Sequence, residues 1–306
     1  MFAAFLSTIL ISISAICGHR SAKLIGGTEA NFWRITFATF LLAIWAYTFG
    51  KGLEGSAFPI FLLSGIVGIG LGDISYFQAL PRLGPRLSLL LVQCLTAPFG
   101  ALIEWLWLGT TLTASQIICG IVILGGVAIA LQPNEHRQLT RRELTLGAAA
   151  GILAAIGGAG GAVLSRKAYA IMQAVGESIH PINAGFQRVL GGCLLAGISL
   201  LIVKSRVMRA NPALSPASNV TSPRDKWRKV WFWIALNSLA GQTLGVSCMQ
   251  WAFETTPTGI VLPIIATAPI VVIPLAYLVE GEKPTFHSLV GGGIAVVGVI
   301  ALTFFK

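Results

Sequence analysis

The stretch PIFLLSGIVGIGLGDISYFQAL, residues 59–80, decides the fold of this chain. About 20 consecutive apolar residues are enough for an α-helix to cross the hydrocarbon core of a bilayer. Asp73 is the one charged residue in the stretch. Its apolar residues are continuous, whereas the strands of a membrane barrel alternate between apolar and polar residues. The stretch therefore predicts a membrane-spanning helix.

Similar stretches recur along all 306 residues. With the first they make ten predicted spans: Phe2–Cys17, Phe32–Tyr47, Pro59–Leu80, Leu87–Leu108, Ile117–Leu131, Leu146–Leu164, Ala184–Val203, Val230–Phe253, Gly259–Val279 and Ser288–Phe305. Only 10% of the residues are charged and 55% are hydrophobic, against about 25% charged in a typical soluble domain. The first span lacks the basic start and small-residue cleavage motif of a signal peptide, so we expect it to be retained. The sequence predicts an all-α membrane protein with ten transmembrane helices.

The second half of the chain repeats the first. At an offset of 172 residues the matched pairs are Ser75 and Ser247, Gln78 and Gln250, Pro85 and Pro257, Leu90 and Leu262, and Gly120 and Gly292. Nearer the start of each half, Ser21 aligns with Ser165 and Arg34 with Arg188. We predict one five-helix repeat at 1–132, a connecting loop at 133–145 and a second repeat at 146–306. Because five is odd, the second repeat enters the membrane from the opposite side, and such inverted repeats are typical of transporters.

Other functional classes find little support in the composition. The five cysteines and four histidines are scattered singly, so we expect neither a metal site nor a cofactor. The net charge of +10 comes from basic residues in loops between apolar spans, so we expect membrane lipids rather than nucleic acid as partners. No HExxH motif, paired Asp motif or histidine array indicates an enzyme. The expected partner is a small-molecule substrate, and we expect a monomer to be sufficient.

Three short motifs lie at the ends of predicted spans. Lys23 closes span 1, Arg34 opens span 2 within Phe-Trp-Arg-Ile-Thr-Phe, and Val-Glu-Gly-Glu-Lys-Pro-Thr forms the turn at 279–285. With the duplication and the length, these motifs resemble the drug/metabolite transporter superfamily, specifically proteins with two EamA domains. The equivalent turn at 108–113 departs from the family, since Thr110 stands where the family has Glu.

The resemblance implies gradient-coupled export or exchange of amino acids and other small polar metabolites, by a protein of the bacterial cytoplasmic (inner) membrane. A lipid or glycolipid flippase would share this architecture, and an enzyme acting on lipid-linked substrates is a more distant alternative. The resemblance also implies that both termini lie in the cytoplasm. The basic loops follow the odd-numbered spans, however, so the positive-inside rule predicts both termini outside it.

Asp73 is the candidate coupling residue. A carboxylate at membrane depth costs about 2.5–3.5 kcal/mol on insertion scales, so it faces a cavity or a partner. Its equivalent in the second half is Gly245, so the charge breaks the symmetry of the repeat. Two interpretations are open at this point: a site of proton coupling or ammonium binding, and a structural pair with an arginine or with neighbouring hydroxyls.

Polar residues also form a stripe in each half. Ser75 and Gln78, three residues apart, share a helix face, and Ser247 and Gln250 repeat the pattern. Two such stripes would make facing walls of one central cavity, the alternative being hydrogen bonding between packed helices. The predicted substrate contacts, taken from these stripes and their neighbours, are Ser75, Tyr76, Gln78, Gln93, Ser247, Gln250 and Trp251.

Four cations occupy matched positions near helix ends, Lys23 with Arg34 and Lys167 with Arg188. Long basic side chains at such positions often extend to the lipid headgroups. The functional alternative is a gate at which these cations attract a substrate carboxylate or phosphate.

Overall fold

A computed structural model describes residues 2–108, 113–130, 140–210, 223–255, 258–281 and 284–304, and these ranges contain helices and no strand. The first half holds α1 (Phe2–Ile25), α2 (Gly27–Thr48), α3 (Phe58–Gly65), the π-helical segment π1 (Ile66–Leu71), α4 (Gly72–Leu108) and α5 (Ala114–Ala130). The second half holds α6 (Arg141–Ala174), α7 (Pro181–Ala210), α8 (Pro223–Asn237), the π-helical segment π2 (Ser238–Gly245), α9 (Val246–Thr255), α10 (Thr258–Ile265), α11 (Ala268–Glu280) and α12 (Phe286–Phe304). Most of the predicted loop 133–145, the turn around Thr110 and Glu282 of the second turn lie outside the described residues.

Several helices have the length and composition of membrane spans. Four stretches qualify on both counts: Phe2–Ile25, Phe58–Gly100, Arg141–Ala174 and Pro181–Arg206. Three shorter apolar helices accompany them: Ile117–Gly126, Ala268–Val279 and Phe286–Ala301. Large apolar side chains such as Phe40, Leu201 and Leu278 cover the outside, while polar residues such as Ser12 and Asn31 are buried. An apolar surface around a partly polar interior suits a lipid environment.

The helices extend beyond the predicted spans wherever a charged residue cut the apolar run short. The first span, predicted to end at Cys17, continues to Ile25, and the second begins at Gly27 instead of Phe32. The two helices meet at Gly26, whose φ of 88° is accessible to glycine at little cost. Arg34 therefore lies two turns inside α2 and does not open it.

Two predicted boundaries differ for a second reason. Predicted spans 3 and 4 follow each other without a loop, because the helix is broken at Gly84 alone (φ 77°, ψ 169°), inside the predicted gap between Leu80 and Leu87. Predicted span 9, by contrast, is divided into α10 and α11. Pro269, in the first turn of α11, has no N–H to donate, which disfavours one continuous helix.

The two π-helical segments lie at equivalent positions of the two halves. π1 begins at Ile66 and π2 at Ser238, which are 172 residues apart, the offset of the repeat. A π-helix makes i→i+5 hydrogen bonds and is often found at functional sites. Each segment joins the two α-helical parts of span 3 or its equivalent, span 8.

The first helix of each half packs into the other half. α1 contacts α8, α9 and α11, while α6 packs along α3 and α4. Hydroxyls of α1 donate hydrogen bonds to carbonyls of the second half, from Ser7 to Gly245 (3.1 Å) and from Thr8 to Ile264 (3.2 Å). Contacts between α2 and α7 and between α5 and α12 complete the association of the halves.

Glycine permits the closest of these approaches. A Cβ at Gly65 would lie 1.8 Å from the carbonyl oxygen of Arg188, and one at Gly161 would lie 2.6 Å from Cα of Gly68. Small residues are what let helix backbones approach this closely in a membrane. The first contact fixes α7 against α3 and π1, and the second fixes α6 against π1.

Candidate functional site

A cavity of about 150 Å³ lies between the two halves. Helices α1, α2 and α4 and segment π1 contribute to its wall from the first half, and α6, α7, π2, α9 and α10 contribute from the second. The lining includes five pairs of equivalent positions: Ser14 and Gly158, Arg34 and Arg188, Ile69 and Gly241, Asp73 and Gly245, and Gln93 and Ile265. The arginine is common to both halves. The other three polar side chains come from the first half alone.

An ion pair with a third polar partner occupies one side of the cavity. Nη2 of Arg34 lies 2.7 Å from Oδ2 of Asp73, and Nε2 of Gln242 donates to the same oxygen at 2.6 Å. The Asp73 side chain keeps 21% exposure while that of Arg34 keeps 4%, so the carboxylate is the more accessible of the two. This arrangement joins α2, α4 and π2, and therefore both halves of the chain.

Arg34 is held by more than its carboxylate partner. Its Nε and Nη2 donate to Oδ1 of Asn31 at 3.1 and 3.0 Å, and its guanidinium carbon lies 4.4 Å from the centre of the Phe77 ring. Ser238, the first residue of π2, donates its hydroxyl to the carbonyl of Arg34. These contacts fix the guanidinium, because any rotation of it would break hydrogen bonds.

Arg188 lines the cavity from α7, but its surroundings are different. The residue is buried, and its Nε and Nη1 have no hydrogen-bond partner among the described residues. Its guanidinium lies over π1, where a Cβ at Gly68 would come within 3.0 Å of Nη2. Gly65 and Gly68 thus provide the space that lets α7 and this side chain approach π1.

The rest of the lining is mostly apolar, with a few polar groups. Tyr76 has a buried hydroxyl without a described partner, and Oε1 of Gln242 is also unpartnered. Thr96 turns its hydroxyl back to the carbonyl of Val92 at 2.6 Å, so it offers its methyl group to the cavity. No group of three or more metal-binding side chains occurs in the described part of the chain.

The family model of EamA-like transporters matches residues 1–132 and 145–304. The chain belongs to the EamA-like transporter family. It is therefore an integral membrane protein of a family that transports small molecules, and lipid is its environment.

The fold of this EamA-like protein is also found among solved structures. One crystal structure, described only as that of a protein, aligns with 99% of this chain and 96% of its own, with a TM-score of 0.65 and 15% identity. At that identity the likeness shows the fold alone. Comparison with the curated proteins finds no match.

Five of the predicted site residues of the EamA-like protein meet at the cavity. They are Arg34, Asp73, Tyr76, Gln93 and Arg188. The pairing of Asp73 with an arginine, one of the two interpretations drawn from the sequence, is present, and the carboxylate lines the cavity as well.

The two polar stripes lie outside the lining of this cavity, and substrate contact at their residues stays a prediction. Gln78 donates to Thr28 at 3.1 Å, Ser247 donates to the carbonyl of Thr243 at 2.5 Å, and Gln250 is buried with both amide atoms unpartnered. The members that lie outside the cavity lining are Ser75, Gln78, Ser247, Gln250 and Trp251, the last 47% exposed. Helix geometry explains why they lie outside it. Two residues correspond to a rotation of about 200°, so Asp73 and Ser75 point to nearly opposite sides.

The lysines are likewise separated from the arginines with which the sequence paired them. Lys23 is exposed and borders a different depression with Arg20, Lys229 and Trp233. Lys167 is exposed on α6. Of these four cations the two arginines line the central cavity, and a gating role for the lysines stays a prediction.

Gln242 is the cavity residue that sequence reasoning missed. It lies in π2 and belongs to neither polar stripe. Its signal was present as an amide in an otherwise apolar run, five residues before Ser247. A regular helix of 3.6 residues per turn, however, does not predict the direction of a side chain inside a π-helical segment.

Proposed function

We propose that this EamA-like protein is a secondary transporter of small polar metabolites, amino acids among them, acting as an exporter or exchanger by alternating access. In this proposal ten transmembrane helices form two inverted repeats, 1–132 and 146–306, in the bacterial cytoplasmic membrane. A monomer is sufficient, and nucleic acid has no part. The observation that carries the proposal is the charged cavity lined by equivalent positions of both halves.

The position of the charges supports a binding site more than a structural contact. Buried charged groups in a membrane protein are costly, and they commonly mark a substrate or ion pathway. Here two arginines and one carboxylate share a cavity that lies where the halves meet. Alternating access needs a site at the repeat interface, so that rocking one half against the other opens it to each side in turn.

Asp73 is proposed as the coupling residue. Its carboxylate is bound by Arg34 from the same half and by Gln242 from the other half, so the bond between halves depends on its charge. Protonation would weaken both interactions, since charge-assisted hydrogen bonds are about twice as strong as neutral ones. A proton on Asp73 would thereby loosen the contact between the halves, which is the requirement for coupling.

A transport screen in proteoliposomes tests the proposal. The purified full-length protein is reconstituted and offered radiolabelled neutral, anionic and zwitterionic metabolites, with and without a proton gradient. Gly158→Leu is the blocking variant, because Gly158 lines the cavity and a Cβ there has its nearest neighbour, Thr96, at 3.6 Å. Gly293→Leu is the matched control, because no atom lies within 4 Å of a Cβ at that position.

We expect the wild type and Gly293→Leu to move at least one class of solute and Gly158→Leu to move none. Transport by Gly158→Leu at the wild-type rate, or no transport by the wild type in any arm, would overturn the proposal.

A further inference from the structure

We propose that the cavity binds a small α-hydroxy monocarboxylate, with its carboxylate on Arg188 and its hydroxyl toward Gln242 and Asp73. The inference rests on the proposed transport function and names the substrate class of the same cavity. It depends on one asymmetry: the two arginines are equivalent by sequence, but only one of them has a carboxylate partner.

Arg188 is the group that requires an anion. In the first half, Arg34 is neutralised by Asp73. The position equivalent to Asp73 in the second half is Gly245, which has no side chain to offer. No described carboxylate lies within ion-pair distance of Arg188, and two of its buried nitrogens donate no hydrogen bond to the described residues.

An arginine remains protonated at neutral pH, and its planar donors match a carboxylate in a bidentate geometry. Removing a polar group from water without a partner is unfavourable, and a charged group is the most costly of all. A ligand carboxylate in the cavity beside the guanidinium of Arg188 would neutralise its charge. The charge of Arg188 therefore favours an anionic ligand in the cavity.

The net charge of the lining sets the charge of the ligand. Two guanidinium groups and one carboxylate, from Arg34, Arg188 and Asp73, leave one positive charge. A monoanion cancels that charge, whereas a zwitterion leaves it and a cation adds to it. The charge therefore favours a simple carboxylate over the amino acid of the same carbon skeleton.

Gln242 also lines the cavity and has an acceptor atom without a described partner. Gln242 donates its amide nitrogen to Asp73, and its Oε1 is buried without a partner among the described residues. A ligand hydroxyl can donate to this oxygen. Leu262 and Ile265 line the cavity beside these groups and suit a short alkyl chain. The volume of about 150 Å³ is below the roughly 300–1,000 Å³ of sites for drug-sized ligands, so the acid has few carbons.

Thermal unfolding of the full-length protein in detergent tests the inference with three matched probes. L-lactate has the proposed chemistry, L-lactamide has the same shape without the negative charge, and L-alanine has an ammonium in place of the hydroxyl. Each is titrated at constant ionic strength against the wild type, Arg188→Gln and Arg188→Lys. Arg166→Gln, which changes an exposed arginine of α6, is the control for a general loss of positive charge.

We expect L-lactate to raise the melting temperature at concentrations at least tenfold lower than L-alanine or L-lactamide. Arg188→Gln should need at least tenfold more L-lactate, while Arg166→Gln should respond as the wild type does. Arg188→Lys should retain the preference for the anion at weaker affinity, because lysine offers a point charge without the planar donors. It also provides the comparison if the glutamine variant does not fold.

Three results would overturn the inference: equal stabilisation by L-lactate and L-lactamide, an unchanged response in Arg188→Gln, or no response of the wild type to L-lactate. Failure of the transport proposal looks different, because it would leave every solute class unmoved in proteoliposomes. Transport of L-lactate by Arg188→Gln at the wild-type rate would reject the carboxylate site and leave the transport proposal intact.

Discussion

Replacing each cavity arginine by glutamine should change stability in opposite directions in the ligand-free protein. Arg34→Gln removes the partner of Asp73, and breaking a buried pair by removing one member costs about 3–5 kcal/mol. The Asp73 side chain is 21% exposed and keeps its bond from Gln242, which favours the lower end of that range. We therefore expect Arg34→Gln to lose about 3 kcal/mol of unfolding free energy.

Arg188→Gln has the opposite sign because it removes two unsatisfied buried donors, Nε and Nη1. Each unsatisfied buried group costs about 1–3 kcal/mol, and glutamine at this position leaves fewer of them. A gain of about 2 kcal/mol is expected, so the two variants should differ by about 5 kcal/mol. The two arginines are equivalent in the repeat, and the difference arises because the position equivalent to Asp73 is Gly245.

Reversible unfolding of the purified protein in detergent micelles at neutral pH, without added carboxylates, measures the difference. Arg166→Gln, at an exposed position, should stay within about 0.5 kcal/mol of the wild type. Equal destabilisation by Arg34→Gln and Arg188→Gln would refute the reasoning, because it would mean that Arg188 has a structural partner as Arg34 has.

Four further outcomes follow from the structure. Asp73→Asn should abolish gradient-driven transport and leave counterflow exchange intact. Normal gradient dependence in this variant would show that Asp73 is not the coupling residue and serves in packing. Gly65→Ala should destabilise the protein by at least about 2 kcal/mol through overpacking, measured by unfolding against Gly293→Ala, and equal stability of the two would contradict the close approach. At the start of α6, hydrogen bonds from the side chain and backbone of Thr140 lower the pKa of Glu143. These bonds therefore stabilise the folded protein fully above the pKa of Glu143 in the unfolded chain, and the stabilisation is lost as pH falls through its lower pKa in the folded protein. Hydrogen-exchange protection factors of this first turn should drop on acidification in the wild type and not in Glu143→Ala. Finally, the loop charges predict that a C-terminal fluorescent-protein fusion is dark and a phosphatase fusion active, and cytoplasmic fluorescence would show the charge rule to fail here.

Hydropathy predicted much of the fold, and the errors of that prediction have a common cause. Apolar runs located the helices, but the predicted ends stopped short of charged residues such as Lys23 and Glu29, through which the backbone continues as helix. Hydropathy reports whether a side chain prefers lipid or water, whereas the length of a helix depends on backbone hydrogen bonds and on residues that break helices. Hydropathy placed the break at Gly84 correctly, between Leu80 and Leu87, and missed the break before Pro269.

The candidate site was readable in part. Asp73 and the equivalence of Arg34 and Arg188 were visible in the repeat, and so was the missing carboxylate at Gly245. The packing that brings these residues together was not visible in the sequence. It depends on the close approach of α7 at Gly65 and on two π-helical segments that change the direction of the side chains. Periodicity of 3.6 residues can show which residues share a face, but it cannot show which face is turned to the cavity.

Cysteine accessibility in sealed vesicles tests the central claim that this cavity is the pathway used by the substrate. The background lacks the native Cys17, Cys94, Cys119, Cys193 and Cys248. Gln93→Cys replaces a cavity residue, and Gln250→Cys replaces a fully buried glutamine outside the lining. We predict that a membrane-impermeant thiol reagent labels Gln93→Cys from either side of the membrane and leaves Gln250→Cys unlabelled. Labelling of Gln250→Cys with Gln93→Cys inert from both sides would contradict the account and place the pathway along the polar stripes instead.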